Sequence, residues 1–87
     1  MPKYKVRFYY IRGRNQGNVL RDEFYHTFAD AYSRFEEATC RKKPQNWPTV
    51  WIWKEADWRR LSVADLNRMY IEGEAQKKDG TAATVTV

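Results

Sequence analysis

The chain has 87 residues with 31% charged and 43% hydrophobic side chains, the composition of one soluble globular domain with one core. A lone cysteine, Cys40, excludes an internal disulfide and with it a disulfide-stapled secreted scaffold. No apolar run is long enough for a signal peptide or a membrane span, so a cytoplasmic location without membrane contact is expected. The net charge of +5 and the pI near 9.5 favour anionic partners, although charge of this size also serves solubility alone.

Tyr4 to Arg12 carries the clearest period-two pattern. Tyr4, Val6, Phe8 and Tyr10 fall on one face, with Lys5, Arg7, Tyr9 and Ile11 on the other, as in a strand. Gly13 to Gly17 reads as a turn that presents Arg12 and Arg14 at a loop tip. Val19 to Tyr25 is ambiguous, because Leu20, Phe24 and Phe28 fit a strand face and also a helix with spacing four. The rival is one long helix over 18–43. A strand followed by a helix is favoured: Thr27 with Asp30 makes a capping pair, and the preceding loop invites a hairpin.

Phe28 to Arg41 is the main helix, with an apolar stripe of Phe28, Ala31, Tyr32, Phe35 and Ala38. Arg41, Lys42 and Lys43 meet the negative pole of its end, and Pro44 stops it. Two strands follow. Val50, Ile52 and Lys54 lie on one face and Trp51 and Trp53 on the other. Glu55, Ala56 and Asp57 form a three-residue connection, after which Trp58, Arg60 and Ser62 alternate with Arg59 and Leu61. Ser62 with Asp65 starts a last short helix, with Val63, Leu66, Asn67 and Tyr70 on one side and an end near Gly73. Residues 74–87 lose periodicity. Lys77 to Gly80 suggests a turn, and Thr81 to Val87 an edge strand or a frayed tail.

The expected architecture is therefore α+β. A small four-stranded antiparallel sheet in β-β-α-β-β-α order carries one main helix packed on one face. Residues 1–73 form the single compact domain and 74–87 a flexible, loosely attached tail.

Catalytic groups are sparse. His26 and Cys40 are the only histidine and cysteine, and nothing brings them together as a nucleophile and base. No cluster of ligands has metal-binding spacing, and no glycine-rich loop sits in the strand–loop–helix setting that a nucleotide cofactor needs. A non-enzymatic module without cofactor or metal is expected.

What remains is basic and aromatic. If Val6, Phe8, Tyr10, Val50 and Ile52 face the helix, the other side shows Lys5, Arg7, Tyr9, Trp51 and Trp53, with Arg12, Arg14, Arg59 and Arg60 at its rim. Cations there would meet phosphates and rings would stack on bases, the logic of sheet-surface readers of single-stranded nucleic acid. Nucleic acid or a nucleoprotein complex is the first partner this suggests. The same residue types mark protein hot spots. A small inhibitor of phage type, blocking a larger host defence or transcription complex by protein contact, is the alternative. A homodimer through the tryptophan face or the edge strands is a further option. Against all of these stands a core role, with Trp51 and Trp53 buried and Val50, Ile52 and Lys54 outside.

Overall fold

In the computed structural model, which describes residues 1–73, the chain runs β1 (Tyr4–Tyr9), β2 (Val19–Tyr25), α1 (Phe28–Thr39), a 3-10 turn (Pro44–Asn46), β3 (Thr49–Lys54) and β4 (Asp57–Leu61). A second helix, α2, occupies 63–73. The strands form one antiparallel sheet in the order β2-β1-β3-β4. This is the α+β architecture expected, and Val19–Tyr25 is a strand. The readings placed on 74–87, a turn and then an edge strand or tail, lie outside the described residues.

Each helix begins where a hydroxyl side chain can cap it. The Thr27 hydroxyl accepts the Asp30 amide at 3.2 Å. Ser62 and Asp65 cap each other reciprocally: the Asp65 amide donates to Ser62 Oγ at 3.0 Å, and the Ser62 amide donates to the Asp65 carboxylate at 3.1 Å. Both contacts satisfy amides that a helix start leaves without partners.

The core lies between the sheet and α1. Tyr4, Val6, Ala31, Phe35, Val50 and Leu66 are buried together, with Phe8, Phe28, Tyr32, Ile52, Leu61 and Met69 packed around them. The even-numbered side chains of β1 thus meet the apolar stripe of α1, and α2 closes the layer with Leu66, fully buried, and Met69 packed against it.

Four local expectations are corrected. β1 ends at Tyr9, not Arg12, and its register with β2 shifts between Phe8 and Tyr9. That shift takes Tyr10 out of alternation and leaves it exposed. Helix α1 ends at Thr39, two residues early, because Cys40 leaves helical geometry with ψ 123° and Arg41 follows at a left-handed φ of 61°, a turn closed by the Lys42 amide on the Thr39 carbonyl. No basic residue therefore stands in the last helical turn, and the expected charge–dipole contact is absent there. Lys54 pairs with Asp57, so the β3–β4 connection is two residues long. Glu55 and Ala56 have φ of 56° and 61°, the mirror-image turn that matches strand twist.

Trp47 also belongs to the core side. Its ring stands edge-on to Phe35 at 5.9 Å, and its indole nitrogen donates to the Lys42 carbonyl at 2.9 Å. This one tryptophan fills space between the helix end and the sheet.

Candidate binding face of the sheet

The register settles which way the remaining tryptophans point. Val50 lies opposite Val6 and Ile52 opposite Tyr4, on the helix side. Trp51 and Trp53 alternate with them and so occupy the outer face, where each is half-buried. They are not the core beneath α1.

Adjacent pairings build rows across this face. Phe24, Lys5, Trp51 and Arg60 form one row over all four strands. Asp22, Arg7 and Thr49 form the row beside it. Trp53 lies opposite Trp58 toward the β3–β4 turn. The Trp58 ring spans strands: its centre is 5.3 Å from that of Trp53 and 5.9 Å from that of Phe24.

Lys5 is trapped beneath these rings. It is only 5% exposed, with Nζ 4.6 Å from the centre of Trp58 and 5.4 Å from that of Trp51. Ring faces attract a cation electrostatically, and the Asp22 carboxylate stands 3.7 Å away. Arg7 lies against the other part of the platform, its guanidinium carbon 5.1 Å from the centre of Trp51. It grips Asp22 with two hydrogen bonds, Nε to Oδ1 at 2.8 Å and Nη2 to Oδ2 at 3.2 Å. These bonds from Arg7 outweigh partial burial and hold the Asp22 carboxyl below its ordinary range. They also keep Arg7 more firmly charged.

Thr49 ties the far corner together. Its hydroxyl oxygen accepts the Trp51 indole N–H at 2.8 Å and is 2.9 Å from the Tyr9 hydroxyl. The indole of Trp51 is thus fixed at its nitrogen by Thr49, beside Arg7 and Lys5. Such a platform loses little side-chain freedom when a partner arrives.

The sequence-derived residues divide between two sides. Lys5, Arg7, Tyr9, Trp51, Trp53 and Arg60 share or border the outer face. Arg59 does not: it pairs with Ile52 on the helix side, and it forms an ion pair with Glu55 at 2.8 Å. Arg12 and Arg14 are exposed in the β1–β2 loop. Arg12 lines a different concavity of about 550 Å³, shared with Phe8, Arg21, Arg34 and Lys42 near the end of α1. The sequence reading left out Phe24, Asp22 and Trp58. Trp58 was within reach, since alternation places it with Arg60. Phe24 and Asp22 depend on the β1–β2 register, which the shift beyond Phe8 hides.

His26 and Cys40 are both exposed. Among the described residues no group of three or more His, Cys, Asp or Glu is placed to hold a metal ion, and no helix is long and apolar enough to cross a membrane. The chain matches no protein-family model, and no curated protein or solved structure is significantly similar to it.

Proposed function

We propose that this chain is a non-enzymatic module that binds single-stranded nucleic acid, free or within a nucleoprotein complex, across the outer face of its sheet. The observation that carries this reading is the row Phe24–Lys5–Trp51–Arg60, with Arg7 and Trp53 beside it. Lys5, Arg7 and Arg60 outnumber the one carboxylate, Asp22, so the face keeps a positive excess for phosphates. Partly exposed rings next to that charge supply stacking surfaces, worth about 1–3 kcal/mol per base. Because Asp22 and Thr49 orient Arg7 and Trp51, the surface is formed before any ligand binds.

One observation favours a second reading. Lys5 is buried and Arg7 is engaged by Asp22, so the most prominent outer feature is the Phe24–Trp58–Trp53 ridge. A partly exposed aromatic ridge rimmed by Arg60 suits a protein hot spot. On this reading the chain occupies and blocks a surface of a larger protein complex, as a small inhibitor does.

Titration of tryptophan fluorescence with mixed-sequence single-stranded DNA and RNA, at low and moderate salt, tests the first reading. Saturable quenching that weakens with salt is expected, and Arg60→Ala should flatten the log–log salt slope by about 0.7. No quenching at low salt overturns it. Binding of a protein partner that survives nuclease and depends on Trp53 and Phe24 supports the second.

A further inference from the structure

We propose that the outer edge of β2 pairs antiparallel with β2 of a second copy, giving a two-fold dimer with a continuous eight-stranded sheet. The inference goes beyond the binding reading and does not depend on it.

Backbone direction comes first. The Trp53 amide donates to the Lys3 carbonyl at 2.7 Å, and Lys5 and Arg7 continue that alternation opposite Trp51 and Thr49. The odd residues of β1 therefore exchange hydrogen bonds with β3. Its even residues, Tyr4, Val6 and Phe8, exchange them with Tyr25, Glu23 and Arg21 of β2. It follows that Asp22 and Phe24 turn their amides and carbonyls away from the sheet. Among the described residues no strand pairs with this edge.

The two edges of the sheet are unlike. β4 is only five residues long and carries the adjacent like charges Arg59 and Arg60, a short edge whose charges repel a partner strand. β2 has seven residues, with no lysine or proline, and its charges Arg21, Asp22 and Glu23 are of mixed sign and already paired within the chain. Val19, Leu20 and Phe24 on it are each at least 41% exposed. Among the described residues it is the edge open to a partner strand.

Charge selects a second copy and a register. An antiparallel ladder centred on Asp22 sets Arg21 of each strand opposite Glu23 of the other, two opposite-charge pairs related by the axis. Within one chain Arg21 already reaches Glu23 at 2.9 Å, so the dimer would merge these pairs into one alternating cluster. Asp22 meets its own copy at the axis, but each carboxylate is held by Arg7 and Lys5. A ladder centred on Glu23 offers no complementary pair. One centred on Phe24 runs off the strand after Tyr25. A two-fold axis normal to the sheet keeps both tryptophan faces on the same side, which doubles the length of the outer platform.

A single strand pair is a small interface, so assembly should depend on concentration. Sedimentation equilibrium of the full chain over a concentration series should show a mass rising from 10.5 kDa toward twice that value, and amide exchange at Asp22 and Phe24 should slow in parallel. Phe24→Pro removes an outward amide, not one used inside the sheet, and should keep the chain monomeric. Arg21→Glu changes a half-exposed side chain and surrounds the axis with carboxylates. It should weaken the dimer roughly tenfold, and it stands as the test should the proline variant unfold. A native chain that stays monomeric throughout overturns the proposal. So does a dimer that persists in Arg21→Glu at native strength.

Discussion

The ammonium of Lys5 lies 4.6 Å from the centre of the Trp58 ring, on the side of the sheet away from α1. A charged group is buried there because a ring on the far edge strand folds back over it. The small sheet thus has a second packed layer, made of rings and ion pairs where the first is made of apolar side chains. Two variants separate the contributions. Lys5→Met keeps the stem and removes the charge, while Asp22 retains both bonds from Arg7. Buried ions are costly to desolvate, so stability should change by no more than about 1 kcal/mol in either direction. Trp58→Ala removes the cover together with its contacts to Phe24 and Trp53, and should cost about 2 kcal/mol. Urea unfolding of the two proteins measures both. A larger loss from Lys5→Met than from Trp58→Ala would show that charge, not ring packing, holds this layer.

The parts of this fold that were legible in the sequence rest on local chemistry. Alternation in Tyr4 to Tyr9, the spacing-four stripe of α1 and the hydroxyl caps Thr27 and Ser62 each declare themselves within a few residues. What escaped depends on backbone choices that side-chain type does not announce. A slip beyond Phe8 sets which β2 residues join the outer rows, and nothing in Val19-Leu20-Arg21 marks it. The left-handed turns at Arg41, Glu55 and Ala56 use residues that normally avoid that conformation. Burial of Lys5 was illegible for another reason. It requires Trp58 on β4, more than fifty positions away, to reach across β3 to β1, and periodicity says only that both share a face.

Leu66 is the one residue of α2 that is fully in the core, at 2% exposure. Val63 and Tyr70, expected on the same side, are about half-exposed, though Tyr70 stacks on Tyr32 with ring centres 4.8 Å apart. The docking of α2 therefore rests on the buried Leu66, on Met69 packed beside it and on one ring pair. Leu66→Ala should cost about 2–4 kcal/mol, with loss of helical signal from α2 before the sheet unfolds. Tyr70→Ala should cost only about 1 kcal/mol. Circular dichroism and tryptophan fluorescence followed through the same urea transition distinguish local release of α2 from global loss.

Glu23 gathers three donors on the helix side. Arg34 reaches it at 2.8 Å, Arg21 at 2.9 Å and the Tyr25 hydroxyl at 2.8 Å. Led by the bond from Arg34, they hold its carboxyl at about 2, against a burial effect in the opposite direction. A carboxyl lowered on folding contributes stability that is fully present above its unfolded value of 4.5 and is lost as pH falls toward 2. The contribution is at most about 3 kcal/mol. Asp22, lowered mainly by Arg7, acts in the same direction. Urea midpoints should thus fall steeply between about pH 4.5 and 2. In Glu23→Gln that fall should be shallower, from a lower starting stability at neutral pH. An unchanged acid profile in the variant would remove Glu23 from the account.

The turn between β3 and β4 holds a reserve of stability. Glu55 and Ala56 both have positive φ, a conformation that costs a residue with a Cβ about 1–2 kcal/mol and glycine almost nothing. Ala56 is exposed and takes part in no side-chain hydrogen bond, so nothing opposes the gain when it becomes glycine. Ala56→Gly should therefore raise stability by about 1 kcal/mol, less the extra freedom that glycine adds to the unfolded chain. Glu55→Asn relieves the same strain but gives up the 2.8 Å contact to Arg59. That pair is exposed and worth little, so a smaller net gain is expected. Ala56→Pro demands the opposite sign of φ and should destabilise the hairpin and displace Trp58 from Lys5. The urea midpoint checks the order Gly above Ala above Pro. Tryptophan emission should shift only in the proline variant, where the outer layer of rings comes apart. A midpoint lowered by Ala56→Gly would mean that the connection does not have the two-residue, positive-φ geometry from which this order follows.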